Sequence, residues 1–215
     1  FVREGIPFSM KEKSRNIYEH FIVQDIMAFL RIAMGTAERS DYLRVINKPF
    51  RNVSREAFEN GNSLQALEDY YSESFRMIPD AYRQKAKDAV KLLIRQMEFV
   101  QKSELKLGVM FLRKACGYER YLRQRATQEQ RTEITEWMDI LEWITEDAGN
   151  YKNPEEWQEA QDAYGEKMHM ENQPLSTDEK IRLLTVHASK GLEFDHVWIP
   201  DCNEKSFPHG NTQDP

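Results

Sequence analysis

Apolar residues recur at intervals of three and four between Tyr18 and Met34. Phe21, Ile22, Ile26, Phe29, Leu30 and Ala33 share one side, which predicts an amphipathic helix ended near Gly35. A second helix is expected from Asp41 to Ile46, stopping before Pro49 because a residue that precedes proline avoids the helical region. Ser54 is placed to cap a short helix through Phe58, and Ser63 another that runs through Leu67 and Tyr71, with Gly61 between them. Pro79 opens the strongest helical pattern, in which Ala86, Ala89, Val90, Leu93, Met97 and Val100 form one stripe over about six turns. The next helix starts at Leu105 to Leu112 and is interrupted at Gly117-Tyr118. Ile134, Met138, Leu141 and Ile144 then predict another, with Trp137 on its flank. Asn153-Pro154 breaks the chain before a polar helix with Trp157, Ala160 and Tyr164, and Asn172 to Asp178 reads as a linker.

After the linker the pattern changes. Ile181, Leu183 and Leu184 form one short apolar run and Val197, Trp198 and Ile199 another, and both read as buried strands of an α/β layer, with Trp198 in the core. The expected fold is therefore mostly α: a helical body of about 150 residues, a normal domain size, followed by part of an α/β layer. So few strands make a sheet that cannot stand alone, which implies a piece of a longer protein. The sequence shows no internal repeat and no low-complexity tract.

The formal net charge of −6 argues weakly against nucleic-acid binding, but it averages two unlike regions. From Arg83 to Arg125 basic residues outnumber acidic ones by about three to one, and from Glu129 to Glu171 the acids dominate by about four to one. Two solvated helix faces of opposite sign account for this split, and so does a basic surface that meets nucleic acid. Cys116 and Cys202 lie far apart without metal-ligand spacing, so each reads as a small buried or half-buried residue. No apolar stretch approaches a membrane span and the first residues are not a secretory signal, so a soluble, cytoplasmic protein is expected.

The chemistry concentrates between the two strand-like runs. Thr185, His187, Ser189, Lys190, Gly191 and Glu193 stand together in one polar loop, and ligands of open α/β sheets bind beyond the carboxyl ends of strands. Hydroxyls, an imidazole and an ammonium donate to phosphate oxygens, a carboxylate accepts from sugar hydroxyls, and a glycine lets backbone come close. Any one of these residues alone fits an ordinary connection. Six together point to a site for phosphates and a ribose.

The string Thr185-Val186-His187-Ala188-Ser189-Lys190-Gly191-Leu192-Glu193-Phe194, followed by Val197-Trp198-Ile199-Pro200, Asn203-Glu204 and Phe207-Pro208-His209, closely resembles motif V of UvrD/Rep/PcrA-type superfamily 1 DNA helicases. Weaker resemblances lie at Gly5-Ile6-Pro7-Phe8, at Gln24 to Arg31, at Arg44 to Pro49, and at Gly117-Tyr118 with Tyr121-Leu122. The resemblance implies a large helical insertion (2B-like, residues 17–174) set into a partial RecA-like α/β motor domain (2A-like, residues 1–16 and 175–215). It also implies an ATP-dependent enzyme of DNA repair type that moves 3′ to 5′ on DNA. Thr185, His187 and Ser189 would then lie on the single strand, and Gly191, Glu193 and Lys190 at the nucleotide, the Glu on the ribose. The implied ligands are ATP with Mg2+ in the full-length protein, a single strand and its junction with duplex, and an N-terminal motor domain of the same chain.

A phosphate cradle is missing. None of the 9 glycines is followed by lysine, so there is no GxxxxGK[ST] loop, and the Asp178-Glu179 pair precedes a strand where a magnesium-binding pair would follow one. This stretch alone should be inactive as an ATPase. A second candidate site is Lys48 to Arg55. The family usually carries a Gly-Ile-Gly hairpin there, whose amides approach duplex phosphates, and this chain has Asn52-Val53-Ser54. Asn tolerates a left-handed turn and Ser54 can cap the next helix. Lys48, Arg51, Ser54 and Arg55 offer duplex contacts, or they form a helix junction with solvated basic residues. Trp137, Trp143 and Trp157 fit core or interface positions better than base-stacking platforms. Two other readings stay open: the helicase subunit of a helicase-nuclease complex, and a helical protein-docking or regulatory module with little DNA affinity.

Overall fold

A helix that is apolar on almost every side belongs at the centre of a domain, and α1 (Phe21–Met34) is such a helix. Ile22, Val23, Ile26, Met27, Ala28, Phe29, Leu30, Ile32 and Ala33 are all buried, so the one-sided stripe read from the sequence is too narrow. The reason is the number of neighbours: α2 (Arg39–Val45), α4 (Asp80–Lys102), α5 (Leu105–Lys114), α7 (Ile134–Ala148) and α8 (Pro154–Glu171) all pack on it. The computed structural model describes residues 4, 6, 8–10, 16–59, 61, 63–72, 79–171 and 181–200. The linker at 172–178 and Cys202 lie outside them.

The predicted ends are observed where the chain provides local caps. Gly35 closes α1 in the left-handed conformation, with Thr36 donating its backbone N–H to the Arg31 carbonyl at 3.0 Å. Ser54 caps a 3-10 turn at Arg55–Phe58 by accepting from the Glu56 amide, and Ser63 caps α3 (Leu64–Ser72) by accepting from the Ala66 amide at 3.0 Å. Pro79 precedes α4, whose Ala86, Val90, Leu93, Met97 and Val100 are buried, while Ala89 is half-buried. α6 (Tyr118–Gln128) follows α5 after Gly117. In α7 the buried side holds Trp137, Ile140, Leu141, Ile144 and Ala148, so Trp137 belongs to the core face and not its flank. The guanidinium groups of Arg125 and Arg131 cover its ring, each 5.9 Å from the centroid, and Phe21 meets it edge to face.

The α/β layer reduces, among the described residues, to two three-residue strands. β1 (Phe8–Met10) pairs in parallel with β2 (Ile181–Leu183), Phe8 opposite Ile181, Ser9 opposite Arg182 and Met10 opposite Leu183. The strands on either side of the helical body thus lie next to each other. Two expectations fail here. Ile181 is 47% exposed, and Val197 to Ile199 form no strand, with Trp198 79% exposed. Strand preference needs a pairing neighbour and a covering layer; among the described residues Ile181 has the neighbour but not the layer, and Val197 to Ile199 have neither. Among the described residues no helix is long and apolar enough to cross a membrane.

Buried and half-buried polar groups tie the helices at three places. Asp25, fully buried on α1, accepts from Lys48 Nζ at 2.8 Å and from Tyr118 Oη at 2.7 Å, and pairs with Arg44 at 3.3 Å. Burial, and then the neighbouring carboxylate, hold the Tyr118 phenol well above its usual range. Asp147 on α7 accepts from Tyr18 Oη at 2.8 Å and from Trp157 Nε1 at 2.9 Å, joining the start of the body to α8. Glu119 on α6 meets Arg113 and Lys114 of α5 and Arg123 of its own helix. Burial alone would raise its pKa, but the hydrogen bonds from Lys114, Arg123 and Arg113 outweigh it and bring it down to about 2.

Two outcomes are expected. Asp25→Ala leaves the Lys48 and Arg44 cations without their shared carboxylate and should cost on the order of 3 kcal/mol, read as a lower urea midpoint at unchanged m. An unaltered midpoint would show that the tie contributes nothing. The Glu119 contribution is full above the ordinary carboxylate value of 4.5 and is lost as pH falls toward about 2. The stability gap between wild type and Glu119→Gln should therefore close across that interval, measured by thermal melting at each pH, and a constant gap would contradict the assignment.

Candidate functional site

The loop from Thr185 to Phe194 starts two residues beyond the end of β2 and holds a compact turn over residues 186–191. Thr185 caps it: its Oγ1 accepts from the Ala188 amide at 3.2 Å and its carbonyl from the Ser189 amide at 3.0 Å. The Leu192 amide then donates to the Ser189 carbonyl at 3.0 Å, and the Ser189 hydroxyl donates to the Val186 carbonyl at 2.8 Å. Gly191 ends the turn at φ 81°, a left-handed conformation that a side chain would strain, and nothing lies within 4 Å of where its Cβ would stand. The spacing of hydroxyl, imidazole, ammonium, glycine and carboxylate is thus the spacing of a single capped turn.

Its chemistry faces outward. Thr185, His187, Lys190, Gly191 and Glu193 are exposed and Ser189 is half-buried. Thr185 uses an oxygen lone pair as the cap, which leaves its O–H free to donate. The side chains of His187, Lys190 and Glu193 make no hydrogen bond or ion pair among the described residues. The turn can therefore present a cation, two hydroxyls, an imidazole and a carboxylate to ligands on either side.

The second predicted group is built differently. Arg51 is buried, and its Nη1 donates to the carbonyls of Ile46 at 2.8 Å, Pro49 at 3.2 Å and Val45 at 3.4 Å, so it closes the carbonyl end of α2. Burial lowers its pKa to about 10, and it stays charged at neutral pH. Lys48 reaches back to Asp25, and Ser54 caps the following turn. Asn52 takes the left-handed conformation at φ 58°, at the position where the resemblance leads one to expect a glycine hairpin. The helix-junction reading thus accounts for Lys48, Arg51 and Ser54, while Arg55 points to solvent.

Asp25 and Asp147 escaped the sequence reading. The signal was present: each is a carboxylate on the buried side of an apolar helix, Asp25 one turn from Ile22 and Phe29, Asp147 one turn from Ile144. Trp157 and Trp137 lie in the core, whereas Trp143 is partly exposed beside Tyr18 at 5.4 Å between ring centres. Cys116 is buried next to Arg51, and burial pushes its thiol up to about 12, so it is no nucleophile at neutral pH.

The chain matches the UvrD-like helicase C-terminal domain family over residues 1–214. It is 23% identical over 234 aligned positions to the ATP-dependent DNA helicase PcrA of Staphylococcus aureus strain Mu50, covering 97% of this chain and 29% of that protein. It is 25% identical over 226 positions to the DNA helicase II of Rickettsia typhi, covering 100% of this chain and 32% of that protein. The chain thus spans about a third of the length of these curated relatives. The resemblances in the sequence converge in space as well: Gln24 to Arg31, Arg44 to Pro49 and Gly117 to Leu122 meet at the Asp25 carboxylate. With a match that takes in almost every residue, the chain belongs to the UvrD-like helicase C-terminal domain family.

Proposed function

We propose that this chain is the C-terminal motor portion of an ATP-dependent DNA helicase or translocase that moves 3′ to 5′ along one strand in the cytoplasm. In this reading residues 1–16 and 175–215 belong to a 2A-like motor domain and residues 17–174 form its 2B-like insertion. The observation that carries it is the exposed turn after β2, which holds the six motif residues one short step beyond a strand paired with the strand before the helical body. Gly191 fits a nucleotide because its backbone stands open, and Glu193 and Lys190 supply a carboxylate for sugar hydroxyls and a cation for phosphate. Thr185 and His187 supply donors for a single strand, and Ser189, whose hydroxyl donates to the Val186 carbonyl, turns an oxygen lone pair toward it.

When bound, ATP with Mg2+ supplies the phosphoryl transfer that drives movement. This chain's part is coupling. The hydrogen bonds from Ser189 to Thr185 and from Leu192 to Ser189 run from one end of the turn to the other. A displacement of the Gly191–Glu193 end on nucleotide closure is therefore passed to Thr185 and His187, and the grip on the strand changes with the nucleotide state. The magnesium ligands and the phosphate cradle come from elsewhere in the full-length protein, since none of the 9 glycines here precedes a lysine.

In the full-length protein, Glu193→Ala should raise the ATP requirement by roughly tenfold, the loss of one charge-assisted hydrogen bond. His187→Ala should lower stimulation by DNA with ATP affinity retained. Unchanged DNA-stimulated hydrolysis in both variants would overturn the assignment of the turn. The 215-residue chain by itself should release no phosphate from ATP with or without single-stranded DNA, and turnover above background would show that it carries a cradle of its own.

A further inference from the structure

On the strength of the helicase reading above, we infer that Phe50 is a DNA contact whose ring stacks on an unpaired base while the guanidinium groups of Arg55 and Arg120 hold flanking phosphates. Phe50 is 74% exposed, more than any other large apolar side chain of the described helical body. A lone exposed ring is common on protein surfaces. What sets this one apart is the loop that holds it.

Asn47 fixes that loop with three hydrogen bonds: its Nδ2 donates to the Val53 carbonyl at 2.9 Å, and its Oδ1 accepts from the Arg51 and Val53 amides, both at 3.1 Å. The Ser54 amide donates to Tyr71 Oη at 2.7 Å, and Arg51 is held inward by three carbonyls. On the other side, Pro49 rests against Gly117, with Arg120 beside the same glycine. Phe50 therefore stands between two anchored neighbours with its ring outside the core. A ring held outward in advance loses little freedom when it meets a ligand.

The surrounding charge selects the ligand. Arg51 carries its charge without a carboxylate partner among the described residues, since its hydrogen bonds go to carbonyls alone. Arg44 and Lys48 share the single carboxylate of Asp25. Arg55 and Arg120 are exposed. Opposing them, Glu56 is exposed next to Arg55, and Glu119 is already bound by Arg113, Lys114 and Arg123. The balance is positive on the loop that carries the ring and at the Gly117 junction beside it, and an exposed ring on a basic surface is the combination that binds single-stranded nucleic acid. A protein partner would need a wider apolar patch, and the nearby Val53 and Phe58 are buried.

The test measures binding of the full-length protein to labelled oligothymidylate across a salt series. Phe50→Ala and Phe50→Leu should each bind roughly tenfold more weakly with the salt dependence unchanged, and Phe50→Trp should bind as wild type does. Arg55→Ala should reduce the slope of log affinity against log salt by about 0.7. Affinity unchanged in Phe50→Ala, or retained by Phe50→Leu alone as for a merely apolar docking contact, overturns stacking. A wild-type protein that binds no oligonucleotide overturns the helicase reading together with this one, so the two failures are distinguishable.

Discussion

The Asp25 carboxylate is the point on which the arrangement of the helical body depends. A charge with no exposure inside an apolar helix is tolerated only when other groups satisfy it, and here they come from three separate stretches: Arg44 on α2, Lys48 in the loop behind it, and Tyr118 at the start of α6. Such a tie adds little net stability over a well-packed apolar contact. It adds placement, because an ammonium and a phenol each have one position in which the carboxylate is met. The loop from Lys48 to Arg55 inherits that placement, and Arg51 completes it by closing the carbonyl end of α2.

The helices were legible in the sequence because their signals are local. Periodicity marks α4, serines cap the turn at Arg55 and α3, and Gly35 ends α1. The ties were not, because a carboxylate on an apolar face announces that it needs a partner without saying which. Tyr118 lies 93 positions away from Asp25 and Tyr18 lies 129 from Asp147. For the same reason Lys48 and Arg51 read equally well as duplex contacts and as junction residues, and their acceptors, the Asp25 carboxylate and the carbonyls at the end of α2, were not legible. Trp198 shows the opposite error, strand preference read as burial where no layer among the described residues covers it. In the motif loop the residue types were visible, but the capped turn that spaces them depends on backbone hydrogen bonds that the sequence does not display.

The uneven charge along the chain has a partial structural resolution. Arg113 and Lys106 of α5 pair with Glu142 and Glu146 of α7 at 2.6 and 2.7 Å, so the basic and acidic stretches meet along that seam. The cations of α4 behave otherwise: Lys85, Lys91, Arg95 and Lys102 are exposed and form no ion pair among the described residues. One part of the imbalance is thus spent on packing two helices together, and the other remains a field directed at solvent.

The parallel pairing of β1 with β2 limits how this architecture can be altered. Neighbouring antiparallel strands can be joined by two residues, but parallel strands require a crossover of a dozen residues or more, because the chain must travel back along the full strand before pairing again. Everything from residue 11 to residue 180 is that crossover. Any crossover that replaced the helical body would need a dozen residues or more, and a tight turn in its place would pull apart the strand pair whose second member leads into the motif loop.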